Sequence, residues 1–266
     1  MFHDVVRRLS GARVRFGRRS LAATAVALAF LVAAPLSALD VQPIIIDLLS
    51  AGRRAASIVT LRNTYSDSVP VEVTVHPIKV VDGQLQEMEN EPADNLLVFP
   101  AQAIVPGGQT QAFRVQWVGD PEPAKSEHYY VTVAQLPVEL TGDQNAIQVL
   151  HRFRVLVNVG AEDGKADLKV VATKIATSAD GKPQPIVSIT NQGNTYGYVG
   201  HDKMTITQTG RDGKQVFRQT YQPEQIQQYM GLGLVPSGET RILPIGIDLP
   251  QADGTISIDI SSADTN

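Results

Sequence analysis

The stretch QVLHRFRVLVNV, residues 148–159, decides the fold because its side chains alternate with a period of two. Such a period is typical of a β-strand with one buried face. The odd positions form the apolar row, namely Val149, His151, Phe153, Val155, Val157 and Val159. At about 3.3 Å per residue the strand would be roughly 40 Å long, about twice the ordinary length. The pattern therefore predicts a strand longer than its own sheet needs, with Arg152 and Arg154 on its second face.

The rest of the chain after residue 38 consists of short β-like runs separated by Gly, Pro, Asn and Asp. Runs such as ASIVTLRN, QAFRVQWV and PIVSITN cluster β-branched residues, whereas PEQIQQYMGL, residues 223–232, is at best one short helix. Many short strands with regular turn signals are typical of a sandwich or a barrel. The sequence therefore predicts an all-β protein.

Two landmarks recur in the second half of the chain. SIVTLRN ends at Asn63 and PIVSITN ends at Asn191, while VPGGQT with Pro106 is matched by VPSGET with Pro236. The separations from Asn to Pro are 43 and 45 residues, so both the order and the spacing are repeated. An Asn that ends a strand can hydrogen-bond its own turn, and a Pro-Gly pair favours a tight reversal. We therefore predict two tandem immunoglobulin-like β-sandwiches, residues 39–160 and 161–266.

The first 38 residues have the organisation of an export signal. Six arginines precede the apolar run at 21–34, and small residues follow that run. The run is shorter than the roughly 20 residues that a transmembrane helix needs, and the order of the parts is that of a cleavable secretory signal. We predict cleavage after Ala38. Arg18 and Arg19 leave the twin-arginine route open beside the general secretory route.

Charge and residue content exclude several classes of function. After residue 38 the chain has 17 basic and 26 acidic residues, a net charge near −9, which argues against nucleic-acid binding because that requires neutralisation of phosphates. No cysteine is present, so no disulfide can contribute to stability. The histidines after residue 38 have no metal-ligand spacing, and no phosphate loop or nucleophile elbow occurs. We predict no enzyme activity, metal or cofactor, and we interpret EMENEP, residues 87–92, as a solvated acidic loop.

Several stretches, taken in order, resemble the periplasmic PapD-like chaperones of the chaperone–usher family. They are PIIID, SIVTLRN, VFPAQAIVPGGQTQAFRVQW, SEHYYVTVAQLPVE, AIQVLHRFRVLVNV, ITNQGNTY and LVPSGETRILPI. The resemblance implies a periplasmic protein that folds and caps pilus subunits by donating a β-strand. It also implies delivery of those subunits to an outer-membrane usher, and it leaves open whether the free protein caps its exposed strand by forming a dimer.

The resemblance also implies the site residues. The donating part of the long strand comprises four residues, Ile147, Val149, His151 and Phe153. Arg154 matches a basic residue that binds the terminal carboxylate of the subunit, with Arg152 as the alternate. The family's second basic residue, an arginine in the first strand, has no counterpart in Pro43–Asp47. Either the two arginines act together, or the carboxylate contributes less to binding.

Two other interpretations stay open. In the first, the protein is a chaperone-like scaffold for an exported client that is not a pilus subunit. In the second, it is an adhesive immunoglobulin-like module. An adhesive module calls for an exposed aromatic platform, and the single tryptophan, Trp117, offers little for one.

Overall fold

The predicted β-runs form strands in a computed structural model, which describes residues 38–138 and 149–262. The predicted signal peptide before Ala38 and the predicted donor residue Ile147 lie outside the described residues. Within the described ranges, no helix has both the length and the apolarity to cross a membrane. Both sandwiches belong to a single packed unit that begins at Leu39.

The first sandwich is built from two sheets. Its strands are β1 (Leu39–Gln42), β2 (Ile45–Leu49), β3 (Ala56–Asn63), β4 (Val69–Val81), β5 (Gln84–Glu87), β6 (Leu96–Phe99), β7 (Gln102–Val105), β8 (Thr110–Trp117), β9 (Glu127–Gln135) and β10 (Arg152–Gly160). One sheet has the order β1-β3-β8-β6, and the other has the order β2-β10-β9-β4, with β5 and β7 both paired to β4. Alternate side chains of both sheets meet in the core, where Val59, Phe113 and Val131 are fully buried.

The second sandwich repeats this arrangement with fewer strands in each sheet. Its elements are β11 (Leu168–Thr177), β12 (Pro183–Asn191), β13 (Gly197–Tyr198), β14 (Asp202–Thr209), β15 (Gln215–Tyr221), helix α1 (Pro223–Met230), β16 (Leu234–Val235), β17 (Thr240–Pro244) and β18 (Thr255–Ser262). The sheets have the orders β11-β12-β17 and β15-β14-β18, and β13 pairs with β16. Ile189, Met204 and Ile226 are fully buried between them. The predicted fold class, tandem immunoglobulin-like sandwiches, is confirmed, while the boundary between residues 160 and 161 stays a prediction.

The repeated asparagines occupy equivalent places in the two sandwiches. Asn63 donates from Nδ2 to the carbonyl oxygens of Asp67 (2.8 Å) and Val105 (3.0 Å). Asn191 donates in the same way to the carbonyl oxygens of Thr195 (2.7 Å) and Val235 (3.0 Å). Each Oδ1 accepts a backbone N–H two residues on, and neither side chain is exposed. Each asparagine therefore links its own turn to a short strand, β7 in the first sandwich and β16 in the second. Each of these strands precedes the Pro-Gly or Pro-Ser-Gly turn.

Candidate functional site

Strand β10 is flanked differently along its two halves. All of it except Gly160 pairs antiparallel with β9, from Arg152↔Ala134 to Val159↔Glu127. On the other side β2 pairs in parallel, and that register begins only at Leu156↔Ile45. Among the described residues, the edge of β10 from Arg152 to Val155 therefore has no strand beside it.

The backbone groups on this half-open edge are those of the two arginines. The Gln135 N–H donates to the His151 carbonyl (2.9 Å), which faces β9, and the Leu156 N–H donates to the Ile44 carbonyl (2.9 Å) on the opposite side. Because successive residues of a strand direct their N–H and C=O groups to alternate edges, Arg152 and Arg154 direct theirs away from β9. The edge therefore offers hydrogen-bonding groups to a further strand.

The odd-numbered side chains of the strand divide into two groups. Val155, Val157 and Val159 are fully buried in the first core and complete the protein's own sandwich. Phe153 is partly buried and packs against that core, and the His151 ring stacks on it with the centroids 6.1 Å apart. Val149, in contrast, is 70% exposed. The apolar row therefore leaves its own core gradually towards the start of the strand.

The predicted length of this strand is wrong. The sequence pattern indicates a strand from residue 147 or 148, whereas the regular strand begins at Arg152 and residues 149–151 precede it. Since β9 ends at Gln135, the opposite partner of His151, no residue of β9 extends the ladder beyond that point. The roles predicted for Val149, His151 and Phe153 as donor residues stay predictions.

Arg154 faces a carboxylate of this same chain. Its Nη2 lies 3.0 Å from Oε2 of Glu87, and its guanidinium carbon lies 5.6 Å from the centroid of the Tyr130 ring. Glu87 Oε1 is 2.9 Å from Nδ1 of His76. The interpretation of residues 87–92 as a solvated loop is therefore wrong for Glu87, which ends β5 with a side chain only 8% exposed. Arg152, two residues before Arg154, is exposed at the start of β10.

The first strand carries an acidic residue on the face that the two arginines share. Side chains of β2 alternate so that Ile46 and Leu48 enter the core while Ile45 and Asp47 face outward. Asp47 pairs with Asn158 of β10, and its carboxylate accepts hydrogen bonds from the second sandwich. The strand that lacks the family's arginine therefore carries a residue of opposite charge, Asp47, on its outward face.

A polar network lies where the two sandwiches meet, with Asn158, His128 and Tyr198 buried and Asp47 exposed at its margin. Asp47 Oδ1 accepts the Tyr198 hydroxyl (2.7 Å) and the Asn158 amide (3.0 Å), and Asn158 Oδ1 lies 2.7 Å from Nδ1 of His128. Since Asn158 Oδ1 is an acceptor, His128 carries its proton on Nδ1 and accepts the Ser126 hydroxyl at Nε2. Burial lowers the pKa of His128 to about 4 and raises the pKa of Tyr198. Sequence reasoning missed this network, and the one local signal for it was a polar residue, Asn158, within the otherwise apolar strand end VLVNVG.

The turn between β4 and β5 forms a second contact between the sandwiches. Asp82 and Gly83 both have a positive φ, as a two-residue hairpin turn requires. The Gly83 carbonyl accepts the Ile242 N–H (2.9 Å) and the Arg241 Nε–H (3.0 Å), and Gln84 Nε2 donates to the Ile242 carbonyl (2.7 Å). The turn thereby satisfies both backbone groups of Ile242 on the outer edge of β17.

Comparison with known proteins identifies a family for the first sandwich. Residues 44–158 match the family model described as "Pili and flagellar-assembly chaperone, PapD N-terminal domain". No curated protein sequence matches the chain.

Two solved structures are similar in fold. A chain from "Chaperone-tip adhesin complex is vital for synergistic activation of CFA/I fimbriae biogenesis" is 15% identical, with a TM-score of 0.52 over 86% of this chain and 94% of that chain. The class 5 fimbriae chaperone CfaA is 17% identical, with the same TM-score and coverage. At these identities the similarity establishes the tandem sandwich fold.

Proposed function

We propose that this chain, whose residues 44–158 match the PapD-like family of pili-assembly chaperones, lends the half-open edge of β10 to a pilus subunit that lacks one strand. The observation that carries this proposal is the edge itself. Arg152–Val155 are held in place by β9, and β2 begins to pair only at Leu156. We propose that the client is an immunoglobulin-like pilus subunit. A structure with a similar fold is described as a chaperone-tip adhesin complex, which supports this choice.

Strand donation is physically reasonable at such an edge. A subunit that lacks a strand exposes a row of unpaired backbone groups and an open slot in its core, and both favour aggregation. An added strand supplies the backbone hydrogen bonds, and its alternate side chains fill the slot. In this chain Phe153, His151 and Val149 are the side chains that the proposal assigns to that slot, with Ile147 next along the row.

Arg154 is the residue we propose as the anchor for the terminal carboxylate of the client, with Arg152 as the alternate. Both lie on the outward face of β10, and both lie beside the open part of its edge. A guanidinium can bind a carboxylate through two parallel hydrogen bonds, which fixes register as well as affinity. We further propose a periplasmic location, delivery of the client to an outer-membrane usher, and pairing of the same edge with a second copy when no client is present.

Substitution of Val149 tests the donation of the strand. Val149→Asp places a charge in the proposed client slot without entering the protein's own core, because this side chain is 70% exposed. Ile104→Asp is the matched control, since Ile104 is 71% exposed on β7. This strand pairs with β4, at the edge of the sheet that is far from β10. In co-expression with a strand-deficient pilus subunit, Val149→Asp should abolish co-purification and Ile104→Asp should preserve it. Equal recovery of the subunit with both variants would disprove the proposal.

A further inference from the structure

The site proposed for a client carboxylate already contains a carboxylate of this chain. Glu87 approaches Arg154 to 3.0 Å, and its side chain is 8% exposed, whereas that of Arg154 is 50% exposed. The other oxygen of Glu87 is fixed by His76 at 2.9 Å. Glu87 thus neutralises the charge of Arg154, while half of the Arg154 side chain remains accessible to solvent.

The contact between Glu87 and Arg154 is an ion pair of poor geometry. Oε2 of Glu87 is buried, yet it accepts no hydrogen bond of normal angle within the described residues, although the Arg154 nitrogen is close. A buried carboxylate oxygen without a directed donor is unusual in folded proteins. A free carboxylate that approaches in the plane of the guanidinium can make two directed bonds. It therefore binds Arg154 in a geometry that Glu87 does not achieve.

The backbone that carries Glu87 is held in place independently of Arg154. Three residues before it, Gln84 donates to the Ile242 carbonyl, and Gly83 accepts two hydrogen bonds from the second sandwich. Between them and Glu87, β5 is paired with β4 up to Ile78↔Glu87. Release of Arg154 therefore requires separation of the two side chains and no movement of the β5 backbone.

We propose that Glu87 is a specificity-determining residue of the carboxylate site, which occupies Arg154 in the free protein and is displaced by the terminal carboxylate of a client. This inference rests on the proposed function, since it assumes that Arg154 is the anchor. It also accounts for the missing first-strand arginine. The pairing of Arg154 with Glu87 lowers the positive charge of the site, so strand pairing supplies most of the affinity and the carboxylate serves mainly to set the register.

Removal of the charge of Glu87 tests the proposal. The probes are a synthetic peptide of alternating valine and threonine with a free terminal carboxylate and the same peptide with a terminal amide. In calorimetric titrations, Glu87→Gln should bind the acid peptide about two- to tenfold more tightly than the parent protein does, with the amide peptide unchanged. Glu91→Gln is the control, because it makes the same change in net charge but disrupts the pair with Lys79. It should leave both affinities unchanged.

The remaining outcomes separate this inference from the proposed function. In an Arg154→Gln background the gain from Glu87→Gln should vanish. Weaker binding of the acid peptide by Glu87→Gln would show that Glu87 orients Arg154, and an equal change for both peptides would show a purely structural role. Either result overturns the inference and leaves strand donation standing. If neither peptide binds the folded parent protein, as checked by circular dichroism, strand donation fails and the inference fails with it.

Discussion

Replacement of Gly83 by alanine measures how much the β4–β5 turn contributes to the contact between the two sandwiches. Gly83 has a φ of +74°, and a Cβ placed on it would lie 2.5 Å from Cγ1 and 2.8 Å from Cδ1 of Ile242. Gly213, in the turn between β14 and β15, is the matched control. Its φ is +76°, and a Cβ there would meet no atom within 4 Å. The two substitutions therefore share the backbone strain and differ in the collision with Ile242.

The expected difference follows from these contacts. An alanine in the left-handed region costs about 1–2 kcal/mol in either turn. At Gly83 the added methyl group must either be accommodated against Ile242, at about 1–3 kcal/mol for an overpacked contact, or push the turn away. In the second case the hydrogen bonds to the Gly83 carbonyl are lost, each of which contributes about 1 kcal/mol. We therefore expect Gly83→Ala to lower the free energy of unfolding by about 1–3 kcal/mol more than Gly213→Ala does.

Two measurements check this expectation. Urea denaturation gives the difference in free energy of unfolding from the shift in midpoint, provided that the slope is unchanged. Hydrogen exchange then locates the effect, because the Ile242 amide donates to the Gly83 carbonyl and should exchange faster in Gly83→Ala only. Equal losses of stability, together with equal exchange of the Ile242 amide in both variants, would refute the reasoning.

Two further predictions concern buried polar groups. Asn63→Ala and Asn191→Ala should each lower the free energy of unfolding by about 2–4 kcal/mol in urea denaturation. Asn63→Ala removes a hydrogen-bond partner from two carbonyls and one N–H, and Asn191→Ala removes one from two carbonyls and two N–H groups. A loss below about 1 kcal/mol in either variant would contradict the equivalence of the two sandwiches. The folded pKa of His128, about 4, lies below its ordinary value of 6.5, so the unfolded chain binds the proton first and stability should fall, by on the order of 3 kcal/mol, as the pH drops from about 6.5 to about 4. His128→Gln should lose this part of the pH dependence, and parallel plots of urea midpoint against pH for the two proteins would count against it.

The parts of the fold that appear in the sequence as an alternating or repeated pattern were predictable. Alternation over residues 152–159 gave the buried row of β10, and the recurrence of Asn63 and Asn191 gave the tandem sandwiches. The start of β10 was not predictable in this way, because a strand ends where its partner ends and β9 stops at Gln135. Periodicity in one segment carries no information about the length of another.

The contacts of the site were missed for a related reason. Glu87 lies in a run of acidic residues that locally favours a solvated loop, and it becomes buried only because β5 returns along β4 towards His76 and Arg154. Likewise, Gly83 is recognisable in the sequence as a turn residue. That its carbonyl satisfies Ile242, 159 residues away, follows only from how the second sandwich packs against the first.

The two halves of β10 differ in a way that bears on how an edge can be donated. From Leu156 onward the strand is fixed on both edges by β2 and β9, on one face by the first core, and on the other by Asn158 in the polar network. The half before it has only β9, with the second edge open. Arg152–Val155 are extended along β9 in the free chain, so this segment needs no further ordering when a partner binds. Ordering costs reduce affinity when they fall in the binding step. Under the proposed function, a client strand added to Arg152–Val155 would therefore meet an edge that is already extended.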